Sequence, residues 1–233
     1  MKTQAKYMSA KTIVQLVFVV MVMPLLPMII SGAWNWWEAW AYTLLTSFGF
    51  IISRGLASRR HPDILDERAR SMGLQDAKPW DKILAPAMAL GSVVILIVAG
   101  VDKLNGWTTT PYSITAKVAT LIVIVLGYIL GTWAMVENKF FSGVVRIQED
   151  RGHRVVATGP YRFIRHPGYA GTLWVYLLMP ILFDSLWAFI PALLLFGVVI
   201  LRTSLEDRTL QAELPGYAEY AQKTRYRLFP GIW

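Results

Sequence analysis

Cysteine is absent from the 233 residues, which excludes a disulfide framework and any thiolate-based zinc or redox centre. Charge is scarce as well: 16% of residues are charged, against about 25% in soluble domains. Acids are the rarer sign, 15 against 23 basic side chains, leaving a net charge of +8. A chain this poor in charge and 55% hydrophobic is neither disordered nor an ordinary soluble globule. It has no P-loop, GxGxxG, HExxH or nucleophile elbow, no internal repeat and no low-complexity segment. His153 and His166 stand 13 apart without an obvious third ligand, so no metal site is expected.

What the sequence has in abundance is long apolar runs. A bilayer core about 30 Å thick asks for roughly 20 apolar residues per helix. Thr12 to Ile30 carries no charge; it is too long for a signal peptide and no A-x-A site follows, so an uncleaved first span is expected, kinked at Pro24 and Pro27. The carbonyls freed there need partners from neighbouring segments. Further windows run from Trp37 to Ser53, Ile83 to Val101 and Ala116 to Met135. Trp34, Trp36, Trp37 and Trp40 read as an interfacial aromatic belt, and Lys117 as a snorkelling side chain. The tract from Tyr169 to Leu201 is too long for one upright span, and Phe183-Asp184-Ser185 divides it into a helical hairpin.

The expected fold is therefore all-α: a polytopic membrane bundle of about six helices with a C-terminal hairpin. The N-terminus, the 54–82 connector, the 136–168 connector and the tail after 201 hold 21 of the 23 basic residues. That asymmetry places them, and both termini, in the cytoplasm. The membrane is the cell (inner) membrane of a bacterium or the endoplasmic reticulum of a eukaryote. The positive charge is thus a topology signal with membrane lipid as its secondary partner, and being spread over four segments it gives no nucleic-acid face.

The two long connectors differ. Residues 54–82 mix seven basic and five acidic residues and read as a solvated interfacial helix opened by His61-Pro62-Asp63. Residues 136–168 lack a helical stripe yet are too apolar for a disordered linker. An irregular connector of that length is uncommon unless functional, so an ordered loop packed on the bundle is expected.

Chemistry concentrates where that loop enters the fifth span, at Arg165-His166-Pro167-Gly168-Tyr169. Pro167 suits a first helical turn, and the free N–H groups of such a turn favour an anion. His166 and Arg202 each lie 18 residues from Asp184, so an even hairpin returns them to the same depth. Arg202 and Glu206, four apart, share a face at the end of the sixth helix. They read either as a plain interfacial ion pair or as a functional pair at membrane level.

In order, Gly152-His153-Arg154-Val155-Val156, Gly159-Pro160-Tyr161 and Arg165-His166-Pro167-Gly168-Tyr169-Ala170-Gly171 resemble the isoprenylcysteine carboxyl methyltransferase family. That family carries an H-x-L-V segment, a tyrosine, an R-H-P-x-Y motif, an apolar hairpin and a paired acid. The pair is here Glu206-Asp207, followed by Leu210 and Tyr217-Ala218-Glu219-Tyr220. Val155 replaces leucine and Asp207 the second glutamate, which weakens any claim on the second acid. The resemblance covers about residues 136–233; residues 1–135 match only as generic membrane spans, which suggests helices 1–4 as one part and a methyltransferase core as the other.

The resemblance implies an integral-membrane methyltransferase that uses S-adenosyl-L-methionine on a lipophilic small-molecule, lipid or prenylated acceptor, most simply a carboxylate. Carried over by motif position, the cofactor contacts would be His153, Arg154, Val155, Val156, Tyr161, His166, Pro167, Gly168, Tyr169 and Glu206, with the 136–168 connector as cofactor loop. Arg202 would orient the acceptor through a bidentate contact. Glu206 suits the cofactor ammonium, the helix-start N–H groups its carboxylate, and Tyr161 and Tyr169 its sulfonium. A carboxylate acceptor is already nucleophilic, so no general base is assigned. Alternatives are a phospholipid N-methyltransferase, a sterol-reductase-like protein, which would carry asparagine before the tyrosine, and a non-catalytic lipid-binding membrane protein.

Overall fold

A computed structural model describes residues 18–73 and 76–233 of the chain. Among the described residues there is no strand. After a π-helical turn at Phe18–Val22 and a 3-10 turn at Met23–Leu25 come α1 (Leu26–Ser31), α2 (Trp37–Arg60), α3 (Ile64–Met72), α4 (Asp81–Asn105), α5 (Ile114–Glu137), α6 (Pro167–Leu182), α7 (Phe189–Glu213) and α8 (Tyr217–Lys223). Three of these, α4, α5 and α7, are long and apolar enough to cross a membrane; α6 and the segment Val20–Ser31 are shorter apolar helices. The protein is an integral, multi-pass membrane protein in character. Its exposed large side chains agree: Ile114, Val118, Ile122, Val125, Leu126 and Ile129 line one outer face of α5. Such a patch on a soluble protein would drive association, whereas in lipid it faces its natural solvent.

The expected first span begins outside the described residues, and its remainder is broken where the prolines stand. Pro24 has no N–H to offer the Val20 carbonyl, and Ser47 Oγ of α2 donates to that carbonyl at 2.7 Å instead. Thr43 Oγ1 donates to the Pro24 carbonyl at 2.9 Å. The two α2 hydroxyls thus satisfy backbone groups that lipid could not.

The hairpin reverses between Leu182 and Phe189, with Asp184 at φ +53°. Its arms are unequal: α6 has 16 residues and α7 has 25. Arg202 and Glu206 therefore do not end the helix, because α7 runs on to Glu213.

Two expectations at the turn end are corrected. Lys117 does not snorkel; it is buried and ion-paired with both Glu38 and Asp184. Tyr112 N donates to the same Asp184 at 2.7 Å. A lysine facing two carboxylates gains more from pairing than from reaching water. Likewise Trp34, Trp37 and Trp40 are exposed as a belt requires, but Trp36 is buried edge-on against Phe183, with ring centroids 5.5 Å apart.

α5 and α6 pack closest at a pair of glycines. A Cβ on Gly171 would lie 2.5 Å from the Gly127 carbonyl oxygen, and one on Gly127 would lie 2.7 Å from that of Gly171. Small residues let two backbones touch where side chains would hold them apart. This contact fixes the depth of Pro167 and Tyr169 relative to the C-terminal end of α5.

The 54–82 connector is the largest departure from expectation. As anticipated, α2 stops before His61-Pro62 and a short helix follows, with Asp63 as its N-cap. The connector is not simply solvated: Ile64 and Glu67 of that helix, and Asp81 at the start of α4, are buried. Glu67 accepts from Arg146 Nε and Nη2 at 3.0 and 2.7 Å. Asp81 accepts from the Val145 N–H at 2.6 Å, and Lys78 N donates to the Val145 carbonyl at 2.9 Å. The connector is the frame on which the 136–168 segment is mounted.

Candidate functional site

Residues 138–166 fold without regular structure apart from 3-10 turns at Glu149–Arg151 and Gly159–Arg162. Besides the bonds to Glu67 and Asp81, Gln148 Nε2 donates to the Phe140 carbonyl at 2.6 Å, and Arg151 donates to Asp63 and to the Lys139 carbonyl. Burial and the neighbouring Arg146 and Arg151 push His153 down to about 4, so its ring is neutral at physiological pH. Its Nδ1 accepts from Gln148 N at 3.3 Å, and the ring lies 4.6 Å from that of Phe140.

This segment roofs a cavity of about 280 Å³ against α4, α6, α7 and α8. All of the anticipated site residues line it: His153, Arg154, Val155, Val156, Tyr161, His166, Pro167, Gly168, Tyr169, Arg202 and Glu206. Tyr161 donates to the Ala134 carbonyl, its own carbonyl accepts from Tyr220 Oη at 2.6 Å, and burial raises its phenol above the ordinary value. Tyr169 Oη donates to Glu206 Oε2 at 2.6 Å. Among the described residues Glu206 Oε1 has no partner, so this carboxylate keeps an acceptor and its charge for the cavity.

Three details differ from expectation. The helix-start N–H groups are mostly spent: His166 N donates to the Arg227 carbonyl at 3.0 Å, and Tyr169 N and Ala170 N to the His166 carbonyl. Pro167 has no N–H, which leaves Gly168. Second, Arg202 does not pair with Glu206. Its Nε and Nη2 meet Asp81 at 2.6 and 2.9 Å, and Nη2 also reaches the Gly143 carbonyl at 2.9 Å. The edge that would grip an acceptor in bidentate fashion is occupied, and Nη1 faces only Met88 Sδ at 3.6 Å. The guanidinium lies 5.3 Å from the Tyr169 ring centroid.

Third, Asp207, whose role the sequence left weakest, is the hub beneath the site. It is fully buried and accepts from Arg165 at 2.7 and 2.9 Å, Arg227 at 2.9 Å, Gln211 at 2.8 Å, Tyr217 at 3.2 Å and the His166 ring at 3.3 Å. Burial works against the charge of Arg165, but its bonds to Asp207 more than offset this and hold it above its ordinary value. This hub pins the tail against the start of α6 and aims His166, whose ring stacks on Tyr169 with centroids 5.9 Å apart. Only the position of Asp207 beside Glu206 could have signalled it.

Sequence reasoning also missed Arg68 and Met88 in the cavity lining. Both come from the N-terminal part of the chain, where no motif was visible. A second cavity of about 380 Å³ lies between α2, α4, α5 and α6, and Arg68, Phe141, Gly168, Thr172 and Tyr176 line both.

Fold and site together define an all-helical, multi-pass membrane protein with a polar chamber closed by an ordered loop at one end of its helices. Residues 119–212 match the model of the Isoprenylcysteine carboxyl methyltransferase (ICMT) family. The chain is 31% identical over 106 residues to a protein of Oryza sativa subsp. japonica described as a probable protein-S-isoprenylcysteine O-methyltransferase, covering 44% of this chain and 56% of that one. It is 34% identical over 67 residues to the protein-S-isoprenylcysteine O-methyltransferase of Saccharomyces cerevisiae, 27% of this chain and 28% of that one. These matches bear out the resemblance read from the motifs. The chain spans about half the length of the rice relative. A solved structure of the eukaryotic intramembrane Ras methyltransferase ICMT aligns with 97% of this chain and 88% of its own, at 17% identity and a TM-score of 0.45. That superposition is too loose to place any residue.

Proposed function

We propose that the protein is an integral-membrane methyltransferase that moves a methyl group from S-adenosyl-L-methionine to a lipophilic acceptor, a carboxylate of the isoprenylcysteine type. The observation that carries this reading is convergence: eleven residues chosen by motif, spread from His153 to Glu206, surround one cavity. The family-model match spans all of them.

The residues fit the cofactor by chemistry. It has an ammonium, for which Glu206 keeps a carboxylate oxygen, and an adenine, for which Val155 and Val156 form an apolar wall beside a neutral His153. It also has a carboxylate, within the charge of Arg154 and the N–H of Gly168. When bound, it supplies the methyl of a sulfonium, which keeps the electron pair of the broken S–C bond, so a carboxylate acceptor needs no base. The protein's own work is positioning and exclusion of water. Tyr169, tied to Glu206, presents its ring to a cation. Arg202, locked by Asp81, sets a fixed positive charge beside that ring. An amine acceptor would meet Arg202 and Arg68 as repulsion, so the O-methyl reading is favoured over a phospholipid N-methyltransferase.

In the same reading the polypeptide crosses the membrane six times with both termini and the site on the cytoplasmic side. Residues 136–233 form the catalytic core, and residues 1–135 a frame that contributes Arg68 and Met88. Calorimetry in detergent with S-adenosylhomocysteine and, separately, NADPH tests the cofactor. Radiolabelled methyl transfer into host membranes followed by base treatment tests the acceptor, because esters release methanol and methylated amines do not. A folded sample that ignores S-adenosylhomocysteine overturns the proposal.

A further inference from the structure

Two arginines without acids mark the wall between the two cavities. Arg68, from the connector helix α3, lines both of them. Its Nη1 is buried with no hydrogen-bond partner among the described residues, and its guanidinium lies 5.6 Å from the Phe141 ring centroid. Arg54 of α2 lines the second cavity, stacks 3.6 Å over the Phe50 ring centroid and donates to Ser53 Oγ at 3.0 Å. Among the described residues neither meets a carboxylate.

The fully buried cations do. Arg146 pairs with Glu67, Arg165 with Asp207, Arg202 with Asp81, and Lys117 with Glu38 and Asp184. The Arg68 and Arg54 side chains are half-buried, yet a buried guanidinium N–H left unpaired is costly, so the Nη1 of Arg68 beside open volume, with Arg54 near it, describes a receptor waiting for an anion. Burial, followed by the charge of Arg202, already lowers the affinity of Arg68 for its proton.

We infer that Arg68, backed by Arg54, receives the anionic head of the acceptor, a carboxylate, while the acceptor's apolar tail lies in the second cavity. This rests on the methyltransferase reading and deepens it. The second cavity suits such a tail, since Tyr42, Phe50, Leu96, Tyr128 and Val175 wall it. Its junction with the first cavity at Gly168 and Tyr176 puts the head next to the motif residues. Arg202 is the less suitable anchor because Asp81 holds one edge of its fork. Arg68 lies outside the residues 119–212 that match the family model, so this assignment comes from the packing of this chain. The carboxylate is charged and its methyl ester is not, so the same residue grips substrate and releases product.

The test uses the full-length protein in detergent, with N-acetyl-S-farnesylcysteine and its carboxamide as probes and S-adenosylhomocysteine as the folding control. The wild type is expected to prefer the carboxylate by about tenfold or more, as for a charge-assisted hydrogen bond. Arg68→Gln abolishes that preference, Arg68→Lys restores part of it, and S-adenosylhomocysteine affinity changes by less than about threefold in both. A carboxylate preference that survives Arg68→Gln overturns the inference. So does loss of the wild-type preference on adding phosphatidylglycerol, which would assign the receptor to lipid phosphate. Failure of the wild type to bind S-adenosylhomocysteine would strike the methyltransferase reading instead, so the two failures are separable.

Discussion

Asp81 and Arg202, 121 residues apart in sequence, meet in a two-point ion pair at 2.6 and 2.9 Å, with Asp81 wholly buried. The same carboxylate holds the Val145 N–H. One acid at the start of α4 therefore fixes both the cation of α7 and the roof of the cavity.

Removing one partner of this pair leaves the other charged and buried. Asp81→Ala is expected to destabilise the protein by about 3–5 kcal/mol. Replacing both by apolar residues of similar volume, Asp81→Leu with Arg202→Met, recovers much of that stability but not turnover. Thermal unfolding in detergent beside a methyl-transfer assay reads the two effects apart. Equal losses in the single and double variants would refute the pairing argument.

Glu206 keeps one oxygen for the cavity while Tyr169 holds the other at 2.6 Å. Glu206→Gln preserves that geometry and removes the charge. S-adenosylhomocysteine affinity is expected to fall by about ten- to a hundredfold, the worth of a charge-assisted hydrogen bond. Tyr169→Phe should cost less, since the carboxylate survives. Calorimetry decides, and unchanged affinity in Glu206→Gln removes this residue from the cofactor site.

The α5–α6 contact tolerates no added methyl group. Gly171→Ala places a Cβ 2.5 Å from a backbone oxygen, and overpacking of this kind costs about 1–3 kcal/mol. Gly131→Ala, also on α5 and with nothing within 4 Å, serves as the control and should be neutral or slightly stabilising. Melting temperatures of the two variants should diverge.

Stability should fall in mild acid, in part through His153. Its folded value of about 4 lies below the ordinary 6.5. The unfolded chain therefore binds the extra proton first, and the stability contributed by the neutral ring is present above 6.5 and is lost as pH falls toward 4. His153→Gln should flatten that part of the profile. Unfolding midpoints measured from pH 7 to pH 4.5 on both proteins check the sign.

How much of this was legible beforehand follows from what each feature depends on. The helices spanning the 83–101 and 116–135 windows and the hairpin turn at Asp184 were readable, because hydropathy acts over neighbouring residues. The eleven residues that line the first cavity came from ordered motifs between His153 and Glu206, held close by one hairpin. The connector helix, the burial of Lys117 and Trp36, the Asp207 hub and the partners of Arg202 were not readable. Each depends on which helix lies beside which, and hydropathy does not encode that.

The sequence by itself determined that this is a helical membrane protein whose motifs between His153 and Glu206 resemble a methyltransferase family, since composition, run length and motif order are properties of the chain alone. Only the tertiary structure decided which charges are neutralised and which are left open. Asp81 reaches Arg202 and, among the described residues, no carboxylate reaches Arg68, because a charge inside the fold is governed by the few ångströms around it, and those are filled by residues from other helices.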